Sequence, residues 1–298
     1  IYRLTGLGPA KTKLQAVALR GLTKFVARQR ELMTLEEVSL KAGAGSGQLV
    51  GIVGDAGVGK SRLLLEFRQR LSSEEFTYLE GSCIHYGEYT PYLAFLQALR
   101  SYFDIGQTES ESSSRAKLEA KRQGLGGNAL LALPPLCDIM CLRIEDEGYT
   151  RLEPAQKRVR IFDAVRDILL MESRSKSVVL VIEDCHWMDK TSEELLSYLV
   201  DLLADNRIML ILVYRPEYRN RWGNRSFYTQ ITLNELSPTM SVELAQSILD
   251  DGTAARELQE LVIDTAGGNP LFVEELVYNL RESGAMRKKD GEYVLAMS

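Results

Sequence analysis

The sequence predicts an α/β protein with a doubly wound parallel sheet, followed by a smaller helical subdomain. Three observations predict it. The runs Val178-Val-Leu-Val-Ile182 and Ile208-Met-Leu-Ile-Leu-Val213 are apolar without alternation, which marks strands covered on both faces. Stretches of helical spacing lie between the strand-like runs, the alternation that winds a parallel sheet. A glycine-rich stretch, Val50-Gly-Ile-Val-Gly-Asp-Ala-Gly-Val-Gly-Lys-Ser61, joins the first such run to a helix and carries the G-x-x-x-x-G-K-[ST] spacing of a phosphate loop.

In chain order, residues 1–24 are expected to be a linker: a short strand-like start, then a basic, weakly amphipathic stretch over 10–20. The core is expected over 25–233. Its first helix begins near Phe25 and carries Leu32, Leu35, Val38 and Leu40 at roughly helical spacing. Gly43-Ala-Gly-Ser-Gly47 ends it and leads to a strand over 48–53. A helix over 60–70 follows the phosphate loop, then a strand over 76–80, an aromatic loop over 83–92 and a helix over 91–102. Residues 107–127, rich in Ser, Glu, Lys and Gly, predict a mobile surface insertion; residues 130–142 are apolar and irregular, and their pattern assigns them to no element type. Pro154 suits the first turn of a helix to about Ser173, with Ile161, Val165, Ile168 and Leu169 on one face. The two apolar strands follow, separated by a helix over 192–203, and a fifth strand is expected over 227–233. From Ser237 strands disappear, and helices are expected over 241–249, 254–266 and 270–283, in a subdomain spanning 234–298.

Composition sets outer bounds. The 298 residues are 45% apolar and 26% charged, as in an ordinary globular protein. A net charge of −5 argues against a dedicated surface for nucleic acid or anionic lipid, and no apolar run approaches the roughly 18 residues that span a bilayer. Cysteines at 83, 137, 141 and 185, with only His85 and His186 beside them, offer no zinc set. They are expected to be reduced, buried thiols in a cytoplasmic protein. The chain starts at Ile1 and stops in a strand-like Gly-Glu-Tyr-Val-Leu-Ala-Met-Ser298, so a domain excised from a longer polypeptide is expected.

The phosphate loop carries the first chemistry. Glycines let successive N–H groups turn inward around a phosphate chain, where a Cβ would collide, and the helix that follows favours the same anion through its N-terminal dipole. Gly54, Asp55, Ala56, Gly57, Val58 and Gly59, with Lys60, Ser61 and Arg62 opening the helix, are the candidate phosphate contacts. Lys60 is expected to neutralise the β and γ phosphates and Ser61 to bind Mg²⁺. The second half of the site is Val178-Val-Leu-Val-Ile-Glu-Asp-Cys-His-Trp-Met-Asp189. A buried strand here delivers acids to its carboxyl end, where open α/β sheets place ligands. Glu183 is expected to hold the metal and Asp184 to deprotonate the attacking water.

These residues carry a resemblance to the STAND class of signal-transduction ATPases, relatives of AAA+ proteins. More narrowly, the chain is similar to the ATPase found between class III adenylate/guanylate cyclase domains and TPR-type repeats. Phe25-Val-Ala-Arg-Gln-Arg-Glu-Leu32 resembles the box F-V-G-R-E-x-E-L. The loop continues as Lys60-Ser-Arg-Leu-Leu, and Tyr86-Gly-Glu-Tyr-Thr-Pro-Tyr92 is a recurrent loop of the family. Glu183-Asp-Cys-His-Trp-Met-Asp189 resembles E-D-x-H-W-x-D, and Gly268-Asn-Pro-Leu-Phe-Val-Glu-Glu-Leu276 resembles G-N-P-x-F-V-E-E-L. The resemblance implies an AAA+/STAND-like P-loop core. It also implies that Arg215 is a sensor arginine near the γ-phosphate, that Pro270 packs on the adenine from a helical lid, and that Val26 and Arg28 line the base and ribose. Local physics alone leaves Arg215 as a surface arginine before a proline turn, and 268–270 as a plain helix N-terminus with Pro in the first turn. For His186, Trp187 and Asp189 two readings stand: coupling of the acidic pair to neighbouring domains or, for Trp187 above all, simple packing. Ala27 stands where relatives carry glycine; a positive φ there costs alanine about 1 kcal/mol.

Functionally, the resemblance implies an ATP/ADP-binding, Mg²⁺-dependent, slowly hydrolysing switch in a multidomain signalling protein, cyclase-associated or transcription-regulator-like. Its partners would be adenine nucleotide and the flanking effector and repeat domains, with nucleotide-dependent self-association open, and neither nucleic acid nor membrane engaged through this fragment. The alternative is a module that senses nucleotide without turnover. A small-molecule kinase lacks a visible acceptor site, and the Leu-Ser-Gly-Gly-Gln string of ABC-type ATPases does not occur.

Overall fold

The computed structural model describes residues 23–85, 90–124, 133–249 and 252–296. The expected strand-like start, the basic stretch over 10–20, most of the aromatic motif over 86–92, residues 125–127 of the expected insertion and residues 130–132 of the apolar stretch lie outside them. The chain divides into two compact units. One comprises residues 34–53 and 69–232, the other residues 1–33, 54–68 and 233–298.

The first unit is a five-stranded, wholly parallel sheet flanked by helices. Its strands are β1 (Gln48–Val53), β2 (Phe76–Ser82), β3 (Ser177–Glu183), β4 (Ile208–Tyr214) and β5 (Tyr228–Thr232), in the order β2-β3-β4-β1-β5. The unbroken apolar runs sit in the middle: β4 is buried throughout and β3 at every residue but Glu183, the two-sided burial that absent alternation implies. Register pairs Val53 of β1 with Tyr214 of β4, and Ile182 of β3 with Leu212. Glu183, Asp184 and Arg215 therefore leave the sheet at one carboxyl edge, the edge at which β1 ends.

Around the sheet run α1 (Gln29–Gly43), which begins in the other unit, α3 (Leu93–Tyr102), α4 (Glu111–Gly124), α5 (Leu133–Ile139), the single turn α6 (Glu147–Thr150), α7 (Pro154–Ser175) and α8 (Lys190–Val200), while α2 (Lys60–Arg70) ends here after starting in the other unit. Pro154 opens α7 as expected, within a capping box formed by Glu153 and Gln156. Two expectations need correction, and one unassigned stretch gains an element. Leu40 is 70% exposed, while Leu32, Leu35, Val38 and Ala42 are buried. At about 100° per residue, position 40 falls roughly 80° off the stripe that starts at Leu32. The expected mobile insertion over 107–127 contains α4, anchored by Leu118, which is fully buried, and by Lys121, whose Nζ lies 3.6 Å from the Tyr102 ring centroid. The stretch 130–142, given no element, contains α5, with Leu136, Cys137 and Ile139 buried.

The second unit gathers the phosphate loop, the start of α2, and α9 (Pro238–Ile248), α10 (Arg256–Ala266) and α11 (Pro270–Glu282). Its core includes Val26, Leu244, Leu258, Val262, Val273 and Val277. Ser237 caps α9 by accepting from Met240 N–H at 3.3 Å. Gly267 closes α10 in the left-handed conformation, φ 54°. The expectation that strands disappear after 237 is overturned, while the strand-like reading of the last residues holds for Glu292–Leu295. β6 (Thr253–Ala254), β7 (Met286–Lys289) and β8 (Glu292–Leu295) form a three-stranded sheet in the order β6-β8-β7. Met286-Arg-Lys-Lys289 shows no apolar alternation, so composition hid it; its partner β8 pairs antiparallel with it across a turn at Asp290 and Gly291, both at positive φ.

Candidate functional site

In the loop unit, the phosphate loop has the backbone its spacing demands. Gly57 (φ 80°) and Gly59 (φ 101°) both occupy the left-handed side that side chains avoid. A Cβ on Gly57 would also stand 2.6 Å from Asn269 Oδ1. The first bond of α2 is Leu63 N–H to Gly59 O, 2.9 Å. Lys60, Ser61 and Arg62 thus form its first turn, where helix geometry supplies no intrahelical acceptor for an N–H. Lys60 Nζ donates to Gly54 O and Asp55 O, 2.8 Å each, which places an ammonium over the loop beside the helix N-terminus. Backbone donors, a helix dipole and a cation at one loop are the physical requirements for holding a phosphate chain.

The flanking residues are tied in by hydrogen bonds to backbone. Arg28 is only 8% exposed. Its guanidinium donates to Val58 O (3.4 Å), to Asn234 O and to Glu31 Oε1 (3.3 Å), so it bridges the loop, the start of α1 and the segment after β5. Ala27, beside it, has φ 66°, a strained conformation for alanine that a glycine would relieve. Val26 is buried in the unit's apolar core. Arg62 donates to Thr23 O (2.9 Å) and Glu66 Oε1 (2.6 Å) and lies 5.9 Å from the Phe25 ring centroid, so its guanidinium anchors the segment leading into α1. Pro270 begins α11 behind Asn269, whose side chain accepts from Leu271 N–H at 3.1 Å and donates to Ala56 O at 2.8 Å. Local physics offered 268–270 only as a helix N-terminus with Pro in the first turn; the reach of Asn269 to Ala56 has no local signal.

In the sheet unit, β3 presents Glu183 and Asp184 half-buried at the carboxyl edge. Glu183 O accepts from Cys83 N–H at 2.9 Å, which continues the β2–β3 ladder past Ser82. Asp184 turns the chain with φ 56° and ψ 39°, a left-handed conformation that Asp tolerates better than most residues. Trp187 N–H donates back to Asp184 O at 2.9 Å, closing a 3₁₀ turn. Asp189 caps α8, accepting from Ser192 N–H at 2.9 Å and from the Ser192 hydroxyl. Trp187 packs: its ring lies 4.6 Å from His186 and 5.2 Å from His85, centroid to centroid, and the Arg215 guanidinium carbon stands 5.4 Å from its centre. Arg215 thus leaves β4 stacked on an aromatic face, the cation–π contact that a planar guanidinium favours.

Two thiols near the acidic edge, Cys83 and Cys185, do not contribute nucleophiles. Burial, with Asp189 and Asp184 adding to it, pushes the Cys83 thiol up to about 12, and burial raises that of Cys185 well above its ordinary value. Both stay protonated near neutrality. The expectation of buried thiols fails at Cys141, which is exposed. Among the described residues no three His, Cys, Asp or Glu side chains form a metal cluster, and no helix is long and apolar enough to cross a membrane.

The AAA ATPase domain family matches residues 24–213. An uncharacterized protein of Rhizobium meliloti (strain 1021) is 27% identical over 259 residues, covering 85% of this chain and 24% of that protein. The fold is similar to a chain of Drosophila ORC bound to DNA (TM-score 0.51, 13% identity, 95% of this chain and 65% of that one). It is also similar to a Signal Transduction ATPase with Numerous Domains (STAND) protein with a tetratricopeptide repeat sensor from Pyrococcus horikoshii (TM-score 0.44, 17% identity, 87% of this chain and 33% of that one). The chain thus spans about a quarter of the Rhizobium protein and a third of the Pyrococcus chain.

Proposed function

The chain belongs to the AAA ATPase domain family, and from that membership we propose that it is an ATP-binding, Mg²⁺-dependent switch module that hydrolyses ATP slowly within a multidomain regulator. The observation that supports this most is the loop itself: two glycines at positive φ lead into the first turn of α2 with Lys60 Nζ held over them.

In this reading the residues 54–59 surround the phosphates with backbone donors, and Lys60 neutralises charge on the β and γ oxygens. Ser61 and Glu183 would hold Mg²⁺; a hydroxyl and a carboxylate are the hard oxygen donors that ion takes. When bound, Mg²⁺ supplies charge neutralisation at the β and γ phosphates. Asp184 orients the attacking water and accepts its proton as the water oxygen bonds to the γ-phosphorus and the bond to the β-phosphate oxygen breaks. Arg215 would stabilise charge on the transferring group, leaving its stack on Trp187 or carrying it along. Val26, Arg28 and Pro270 would shape the base and ribose side, Arg28 through the backbone it holds. The nucleotide state then sets the conformation of the helical subdomain, which passes it to flanking effector domains (a nucleotide cyclase or a transcription regulator) and to repeat domains of the same polypeptide.

Calorimetric titration with ADP and ATP in Mg²⁺ tests the reading. Wild type should bind, and Lys60→Ala should weaken binding about 100-fold, as loss of charge-assisted phosphate bonds implies. Equal failure of both proteins sinks the reading. In single turnover, Asp184→Asn should slow hydrolysis about 10²- to 10⁴-fold while binding persists. A wild type that binds but releases no phosphate would leave the sensing module, with the acidic pair serving only Mg²⁺ and structure.

A further inference from the structure

Asn269 does more than cap a helix. Ser, Thr or Asp at that position would satisfy the first turn of α11 equally well. The Asn269 amide also bridges: its oxygen accepts from Leu271 N–H while its nitrogen donates to Ala56 O, which a carboxylate lacks the donor to do and a single hydroxyl oxygen lacks the second atom to span. Leu271 N–H reaches the next loop carbonyl as well, Gly57 O at 3.3 Å. Two consecutive phosphate-loop carbonyls therefore face the positive end of a 13-residue helix.

Their orientation has a consequence inside the loop. In a trans peptide the C=O and the following N–H point in opposite directions. With Ala56 O and Gly57 O turned toward α11, the N–H groups of Gly57 and Val58 are turned away from it. Val58 N–H donates to Asp55 O at 3.5 Å, the long limit of a hydrogen bond, and Lys60 Nζ donates to the same oxygen at 2.8 Å, so the loop donor and the lysine share one space and a phosphate there would take over the long Val58 bond. Gly57 fits this contact in two ways: its φ of 80° sets the peptide, and its missing Cβ leaves room for the Asn269 amide.

We propose that Asn269 is a positioning residue for phosphate recognition: by holding the carbonyls of Ala56 and Gly57, it turns the loop's N–H groups toward the β-phosphate of a bound nucleotide. The helical subdomain thereby sets the donor geometry of the phosphate loop directly. This rests on the reading of the loop as a nucleotide site.

The test is Asn269→Ser, which keeps the cap and loses the bridge to Ala56, with Asn269→Asp as a second cap-preserving variant that lacks the donor. ADP and AMP are titrated in parallel, and amide hydrogen exchange is followed over 54–61 in the nucleotide-free chain. Asn269→Ser should weaken ADP about five- to tenfold, as one lost hydrogen bond implies. AMP, which has no β-phosphate, should bind unchanged, and exchange at Gly57 and Val58 should quicken. Unchanged ADP affinity overturns the proposal. So does equal loss for ADP and AMP, which a merely structural role would give. If wild type binds neither nucleotide, the functional reading fails instead; exchange over 54–61 still decides for or against the positioning contact, since unaltered exchange in both variants overturns it.

Discussion

In the sheet unit, β4 buries all seven of its residues and β3 all but Glu183; in the loop unit, the segments that carry chemistry are held by side chains reaching backbone carbonyls. Arg28 donates to Val58 and Asn234, Lys60 to Gly54 and Asp55, and Asn269 to Ala56. The backbone there also leaves ordinary conformations at Ala27, Gly57, Gly59, Gly267 and Gly268. Burial is non-directional. It can fix a strand in a sheet but cannot aim an individual N–H at an anion. A loop that must present its backbone as a ligand needs directional bonds from outside itself, and the loop unit supplies them.

The contrast predicts different kinds of damage. Leu212 is fully buried in the sheet core, so Leu212→Ala should cost about 2–5 kcal/mol, read as a lower midpoint in denaturant titration. A cost below about 1 kcal/mol would mean that the sheet does not depend on packing as described. Arg28→Ala should cost less, about 1.5–3 kcal/mol, through lost charge-assisted bonds to Val58 O, Asn234 O and Glu31. Its effect should concentrate in faster amide exchange over 54–61. Uniform exchange changes across the chain would remove the distinction between the two units.

At the carboxyl edge of the sheet the first unit uses the same devices as the second. Asp189 caps α8 and Asp184 turns at positive φ, so local polar bonds again place the residues that matter. Asp189→Ala should cost about 1 kcal/mol through the lost cap, measured by thermal unfolding, with Asp189→Ser recovering most of it. Failure of Ser to recover would mean that Asp189 acts through charge rather than through the cap.

The same contrast explains what was legible in the sequence. Strands over 178–182 and 208–213 announced themselves because two-sided burial leaves an unbroken apolar run, and the loop because its chemistry admits few residues at fixed spacing. α4 was missed because one buried leucine, Leu118, anchors a helix otherwise rich in Ser, Glu, Lys and Arg. β7 was missed because Arg287, Lys288 and Lys289 are exposed on a short strand. At the site, residue types could be named for Lys60, Glu183 and Asp184, but not the contact of Asn269 with Ala56, 213 residues apart in the chain. No local pattern encodes a bond at that separation.

Ala27 gives the finest test, because there the sequence raised a conditional that the backbone answers. Alanine at φ 66° pays the left-handed penalty, about 1 kcal/mol. Ala27→Gly removes the Cβ that causes it but adds freedom to the unfolded chain, which offsets part of the gain. The net should be a stabilisation of a few tenths to about 1 kcal/mol, or a rise of roughly 1–3 °C in melting temperature for a chain of this size. Ala27→Val should move the opposite way and further, since a β-branched side chain is less tolerated at positive φ. Because Ala27 precedes Arg28, the glycine variant also separates strain from clamping. If relief of strain lets the segment drift, exchange over 54–61 quickens while the melting temperature rises. If Arg28 alone fixes the segment, the melting temperature rises and exchange stays as it was, the outcome expected from the three bonds its guanidinium makes.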